Sequence, residues 1–313
     1  VAPSWGRSRL AAGDVVLLTE MEHHANLVPW LMVADRTGAE LRYLDFDANG
    51  QLILDNLDRL LDGAAILAVT LASNVLGTLN DLDALVQAAH RAGALVVADA
   101  AQYVPHHRLD VARLGVDFLA FSGHKMLGPT GIGVLWGRQE LLEVLPPFLG
   151  GGEMITDVRL DGFEPNEIPW RFEAGTPPIA EAIGLEAACA YLNQLGLDGI
   201  DRHCRDLTTF AHARILEEFG DLITVHGPAF GQERGPLLSL AMDGVHPHDL
   251  AQVLDESGVC VRAGHHCAKP LMRKLGLVAT TRASFYLYNG PDDVEALLAG
   301  LARARNLFAA GVV

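Results

Sequence analysis

The stretch DFLAFSGHKMLGPTGIGVLW, residues 117–136, holds two apolar runs, DFLAF (117–121) and IGVLW (132–136). The first run ends in Ser122-Gly123-His124-Lys125. Four more short apolar runs lie upstream: VVLLT (15–19), LRYLDF (41–46), AILAVT (65–70) and ALVVA (94–98). Between them lie segments of helical spacing, clearest in LDALVQAAHRA (82–92). Strands apolar on both faces that alternate with helices predict an α/β domain with a mostly parallel sheet. Such sheets gather ligands at the C-terminal ends of their strands.

Glycine and proline thicken from Pro146 to Pro178, which reads as a loop region. A helix pair is expected at 179–195 and 199–219. The pattern then turns to a smaller α+β type. Strands are expected at LITV (222–225), LLSLAM (237–242) and RASFYLY (282–288), with helices at 247–257 and 291–309. The division falls into a large domain over 1–194 and a small C-terminal domain over 195–313.

The chain has 313 residues, is 50% hydrophobic and carries a net charge of −16. That length and composition can bury a large core. The acidic balance argues against nucleic acid or an anionic membrane as a partner. No run approaches the length of a membrane span. Four cysteines without a C-x-x-C pair suit a reducing, cytoplasmic setting. The start lacks an initiator Met and leads at once into a strand, so the large domain is expected to be N-terminally incomplete. Only three lysines occur, Lys125, Lys269 and Lys274, against 23 basic residues in all.

The strand ends carry complementary chemistry. ALVVA leads to Asp99 and Gln102, AILAVT to Asn74, and VVLLT to His23. Singly, Asp99 reads as a cap or turn former, Lys125 as a solvated amine, Asn74 as a turn residue and His23 as a satisfied histidine. As a set they match what pyridoxal phosphate chemistry needs: an amine for a Schiff base, a carboxylate for the pyridine nitrogen and a flat ring to cover the cofactor. Ser122 and His124 offer phosphate donors, and burial would suit Lys125 to this chemistry.

The stretch RAGHHCAKP (262–270) leaves three readings open: a metal clip, a reactive thiol or an inert loop. Consecutive His265, His266 and Cys267 lack the usual spacing of zinc ligand pairs. Cys189 and Cys204 read as core residues. Cys260, in a strand-like VCV, is expected to be buried, and His106-His107 to lie on a surface loop.

EHHANLVPW, SNVLGT, DAAQ, SGHKMLGPTGIGVLW, RFEAGTP, GVCVRAGHHCAKPLM and TRASFYLYN follow one another in order. This ordered set resembles the class V aminotransferase group of PLP-dependent enzymes (fold type I). Within that group it is similar to the SufS-like (group II) cysteine desulfurases. The resemblance covers essentially the whole chain. It implies Lys125 as the Schiff-base lysine, Asp99 at the pyridine nitrogen, Gln102 at the phenolic oxygen and His23 over the ring as an acid/base. Ser122, His124 and Thr176 would bind phosphate, Thr176 from the partner subunit of a homodimer. Asn74, Arg262 and Arg282 would hold the substrate, and Cys267 would be the nucleophile.

The implied cofactor is pyridoxal 5′-phosphate and the implied reaction takes L-cysteine to L-alanine. Sulfur passes to an enzyme cysteine persulfide and then to a protein acceptor of iron–sulfur cluster assembly. A selenocysteine lyase or a cysteine sulfinate desulfinase of the same fold is the nearest alternative. An inactive, truncated protein of this fold is another.

Overall fold

The computed structural model describes residues 1–309. Six strands form the larger sheet: β1 (Val15–Thr19), β2 (Glu40–Leu44), β3 (Ala64–Thr70), β4 (Leu95–Asp99), β5 (Phe118–Ser122) and β6 (Gly133–Gly137). The order is β2-β1-β3-β4-β5-β6. β1 to β5 are parallel, and β6 runs antiparallel to β5. The six apolar runs thus all become strands, with ends displaced by no more than two residues.

For the central strands β1, β3 and β4 the reason is burial on both faces, while the edge strands β2 and β6 are exposed or half-buried at most positions. All five residues of β1 are buried. Val15 and Leu17 pack with Leu67 and Val96 against the helix Leu82–Arg91. Val16 and Leu18 face the other way, onto Ile66, Val97 and Trp30 of the helix His24–Thr37. Each buried leucine contributes roughly 2 kcal/mol by the area it removes from water, so a slipped strand would lose on both faces at once.

Residues 146–178 are not loop alone. β7 (Ile155–Arg159) and β8 (Gly162–Pro165) pair as an antiparallel hairpin around Asp161. Both strands are exposed almost throughout.

The second sheet holds β9 (Ile223–His226), β10 (Leu237–Met242), β11 (Arg262–Gly264) and β12 (Thr280–Ser284), in the order β11-β12-β10-β9. All its pairs are antiparallel. Helices Leu197–Phe219, Pro247–Glu256 and Pro291–Ala309 cover it through one buried cluster. The expected strand over 282–288 stops early, at Ser284. Beyond it a turn closes, with the Tyr286 N–H donating to Asn289 Oδ1 at 2.9 Å. The Tyr286 hydroxyl then donates to the Pro105 carbonyl at 2.9 Å, which ties this segment to the first sheet's half.

Cys204 is buried and Cys189 half-buried. Cys260 is exposed, contrary to expectation. Val259 and Val261 pack against the second core; strand-like alternation then turns Cys260 outward. The two halves are stapled by Lys274, whose ammonium pairs with Glu20 and Asp45 and sits 4.8 Å from the centre of the Phe46 ring. Among the described residues no helix is long and apolar enough to cross a membrane.

Candidate active site

The C-terminal ends of β1, β3, β4 and β5 face β11 and β12 across a cavity of about 680 Å³. It is lined by nine of the expected site residues: His23, Asn74, Asp99, Gln102, Ser122, His124, Lys125, Arg262 and Arg282.

Lys125 sits in a single 3-10 turn, Gly123–Met126, directly after β5. Glycines make that turn possible. The Gly123 N–H donates to Ile132 O at 2.9 Å, and the Gly128 N–H to Gly123 O at 3.0 Å. A Cβ on Gly133 would lie 2.7 Å from the Phe121 carbonyl oxygen, so only glycine lets β6 approach β5 here. Burial holds the Lys125 amine below its ordinary value. Asp99 opposes that shift, while Arg282 and Arg262 add to it.

His23 caps the helix His24–Thr37, its Nδ1 accepting from the Ala25 N–H at 3.0 Å. The cap spends one ring nitrogen and leaves the imidazole on the cavity wall. Burial, then the charge of Lys125, lowers its pKa, so the ring is neutral near pH 7. Asp99 ends β4 and accepts from the Ala101 N–H at 2.9 Å through Oδ1.

Glu22, not singled out in the sequence, lies just beneath. It is 2% exposed. It accepts from Thr19 Oγ1 at 2.6 Å, Asn26 Nδ2 at 2.7 Å and the Thr70 N–H at 2.9 Å. Those three donors favour the anion, but burial outweighs them, and Asp99 adds to it. Its pKa is raised to about 8.

Arg262 and Arg282 are direct cross-strand partners on β11 and β12. Two like charges in that register repel, and neither has a carboxylate within 4 Å among the described residues. Arg282 Nη1 donates to Asn74 O at 2.7 Å, while its buried Nε has no partner. Its pKa is lowered to about 10, by burial first and Arg262 next. The arrangement is one an anionic ligand would complete.

Arg262 Nη2 also reaches Cys267 Sγ at 3.8 Å. The loop that carries the thiol is strained: His266 and Cys267 are successive non-glycine residues with φ of 51° and 58°. Side chains hold it. Asn74 Nδ2 donates to His266 O at 2.6 Å, and His266 Nε2 pairs with Thr280 Oγ1 at 2.9 Å. His265 Nδ1 accepts the Cys267 N–H at 3.1 Å. These histidine nitrogens serve the loop's own structure. Among the described residues no group of three His, Cys, Asp or Glu side chains is placed to hold a metal. Burial, with Arg282 and Arg262, lowers the His266 pKa to about 4.

Thr176 is exposed and lies outside the cavity lining, and Cys267 also lies outside it, joined to its wall through Arg262. His106, expected on the surface, is buried and lines the cavity. Its ring meets Tyr286 edge-on at 4.8 Å, its Nδ1 has no partner, and burial lowers its pKa to about 3. His107 is half-buried beside Asp201 at 3.3 Å. The chain after Gln102 coils through turns under Tyr286, a fold that no periodicity in residues 100–108 announces.

Residues 1–297 match the Aminotransferase class-V family. A probable cysteine desulfurase of Streptomyces coelicolor is 52% identical over 94% of this chain and 70% of its own length. A probable cysteine desulfurase of Halalkalibacterium halodurans is 48% identical over 98% of this chain and 75% of its own. A crystal structure of a cysteine desulfurase from Escherichia coli superposes with a TM-score of 0.94 at 42% identity. It covers 98% of this chain and 76% of that one.

Proposed function

The chain belongs to the class-V aminotransferase family, and from that membership we propose that it is a cysteine desulfurase whose sulfur-accepting thiol is Cys267. It takes L-cysteine to L-alanine, with pyridoxal 5′-phosphate as cofactor. The cavity's donors fit that group: an amine at Lys125, a carboxylate at Asp99, an amide at Gln102 and polar side chains at Ser122 and His124. The unpaired Arg282 Nε adds a buried donor for an anion.

In this reading Lys125 would carry the cofactor. Asp99 would hold a proton on the pyridine nitrogen, Gln102 would meet the phenolic oxygen, His23 would cover the ring, and Ser122 and His124 would take the phosphate. When bound, the cofactor supplies an electron sink for the carbanion left by loss of the α-proton. Arg282, Arg262 and Asn74 would grip the substrate carboxylate, and a guanidinium fork suits that task. Lys125, with its lowered pKa, would take and return protons, as would the neutral His23. The Cys267 thiolate would attack the substrate sulfur. A sulfur–sulfur bond forms, the carbon–sulfur bond breaks, and its electron pair stays with carbon, which then gains a proton to give alanine. Arg262 Nη2 points at Sγ, where negative charge builds before that attack.

The observation that carries the reading is the opposed pair Arg262 and Arg282, without carboxylate partners, beside Cys267 and across the cavity from Lys125. Cys267→Ala is expected to keep the cofactor's visible absorbance and lose cysteine-dependent alanine formation by at least about a thousandfold. Full sulfide release by that variant would overturn the assignment.

The setting extends the proposal: a cytoplasmic homodimer in which Thr176 serves the partner's site, passing sulfur to a protein acceptor of iron–sulfur cluster assembly. Thr176 precedes the helix Ile179–Leu195, whose Ile179 and Ile183 are 60% and 63% exposed. Those apolar side chains support a subunit contact there. Sedimentation that finds monomer alone would remove it. The large and small domains would divide at 194/195, at the end of the helix Ile179–Leu195 and just before the helix Leu197–Phe219.

A further inference from the structure

The two histidines of EHHAN take different jobs. His23 caps its own helix and faces the cavity. His24 turns the other way, toward the loop of the thiol. Its backbone N–H donates to the Cys267 carbonyl at 2.7 Å. Its Nε2 accepts the Lys269 N–H at 3.0 Å. One residue therefore grips both sides of Ala268, from a position more than 240 residues away in the chain. The first contact uses a free donor of the helix N-terminus, which has no partner within the helix. The second needs a side-chain acceptor. The His265 ring lies 5.7 Å from that of His24 and receives the Cys267 N–H, so the clip reaches the thiol residue from both flanks.

We infer that His24 is a positioning residue for Cys267: it clips the strained loop to the start of the His24–Thr37 helix and so fixes where the thiol stands over the cavity. The inference rests on the reading of Cys267 as the sulfur-accepting thiol. A loop with two successive left-handed residues does not hold that shape unaided. Asn74 and Thr280 fix His266. His24 is the contact that fixes the following peptides, 267 to 269.

The clip has a protonation requirement. Nε2 accepts a hydrogen bond, so the ring must be neutral with its proton on Nδ1. Burial, then His265 and Lys269, holds the His24 pKa below its ordinary value of 6.5. The groups facing it are His23 on its own element and His265, Cys267 and Lys269 on the loop. The side-chain contact is therefore intact at neutral pH and is lost as pH falls through that lowered value.

The test uses the cofactor-loaded enzyme as wild type, His24→Ala and His24→Gln, with Cys267→Ala as the blank. Alkylation of Cys267 by iodoacetamide is followed by mass spectrometry, alongside kcat and KM for L-cysteine. In His24→Ala, kcat falls roughly tenfold with KM little changed, as expected for a misplaced reacting group. Alkylation speeds up about threefold or more as the loop loosens, at the scale of one lost hydrogen bond. His24→Gln, which keeps an acceptor of similar reach, recovers most of both. Between wild type and His24→Ala, the ratio of alkylation rates approaches one as pH falls through that lowered value, since the wild-type clip has then opened. Unchanged alkylation and kcat in His24→Ala at neutral pH would overturn the inference, as would a His24→Gln as defective as the alanine variant. The alkylation ratio reads the clip whatever the reaction, so failure of the desulfurase reading shows separately, as alanine formed by Cys267→Ala.

Discussion

The turn of Lys125 lines the cavity and the loop of Cys267 stands beside it, its thiol against Arg262 on the cavity wall, and the two are built by opposite means. Lys125 stands directly after β5, in a turn whose bonds are backbone to backbone. Its shape comes from glycines that let β5 and β6 approach. Cys267 stands after a three-residue edge strand, in a backbone conformation that disfavours its own side chain. Its shape comes from side chains of other segments: Asn74, Thr280 and His24. The lysine turn is a rigid mount. The cysteine loop is a moored one, which under the proposed role would suit a group that meets substrate and then passes its sulfur on.

The largest expected effect breaks the rigid side. Gly133→Ala forces a Cβ to within 2.7 Å of the Phe121 carbonyl. A destabilisation of about 3 kcal/mol is expected, read as a lower melting temperature together with loss of cofactor absorbance. A variant as stable and as coloured as the wild type would show that the turn does not depend on this close approach.

A smaller effect is expected on the moored side. Thr280→Val keeps the shape and removes the hydroxyl that pairs with His266 Nε2. His266 Nδ1 already has no partner, so the buried ring would lose its last one. The cost is about 1–2 kcal/mol. Cofactor absorbance is expected to stay while alanine formation falls and iodoacetamide reaches Cys267 faster. Loss of absorbance instead would mean that the two mounts are not separate.

A third test sharpens the comparison through pH. Glu22 has its pKa raised from 4.5 to about 8. The folded state then holds a proton that the unfolded state gives up, and stability falls as pH rises from about 4.5 toward 8. Glu22→Gln removes that titration, so denaturant unfolding should depend less on pH over this window. His266, lowered to about 4, acts in the opposite sense: its share is present above pH 6.5 and lost as pH falls toward 4. A Glu22→Gln slope identical to the wild type's would place the missing proton elsewhere.

The same contrast governs how much was legible in the sequence. VVLLT, AILAVT and ALVVA read as strands because burial on both faces demands unbroken apolar runs, and no other constraint competes. Lys125, Asp99, His23 and Asn74 could be grouped because each follows such a run. The hairpin of β7 and β8 escaped notice because its residues are exposed and its two-residue turn, Leu160-Asp161, is not one of the favoured turn pairs. RASFYLY reads as one long strand, yet it ends at Ser284 because Asn289 closes a turn on Tyr286. Glu22 and His106 owe their burial to contacts with Asn26, Thr70 and Tyr286, which come from tertiary packing and leave no period in the chain.

The scarcity of lysine has a practical consequence. All three stand at this site: Lys125 in the cavity, Lys269 with its N–H in the His24 clip, and Lys274 in the staple between the halves. A reagent that acylates side-chain amines therefore has three addresses, each reporting on a different joint of one machine. Lys269 and Lys274 are both exposed, but Lys274 is held by two carboxylates, so Lys269 would be tagged first, Lys274 as the staple opens, and Lys125 only when the cavity stands empty. The order of tagging becomes a readout of assembly, with no residue of the protein substituted.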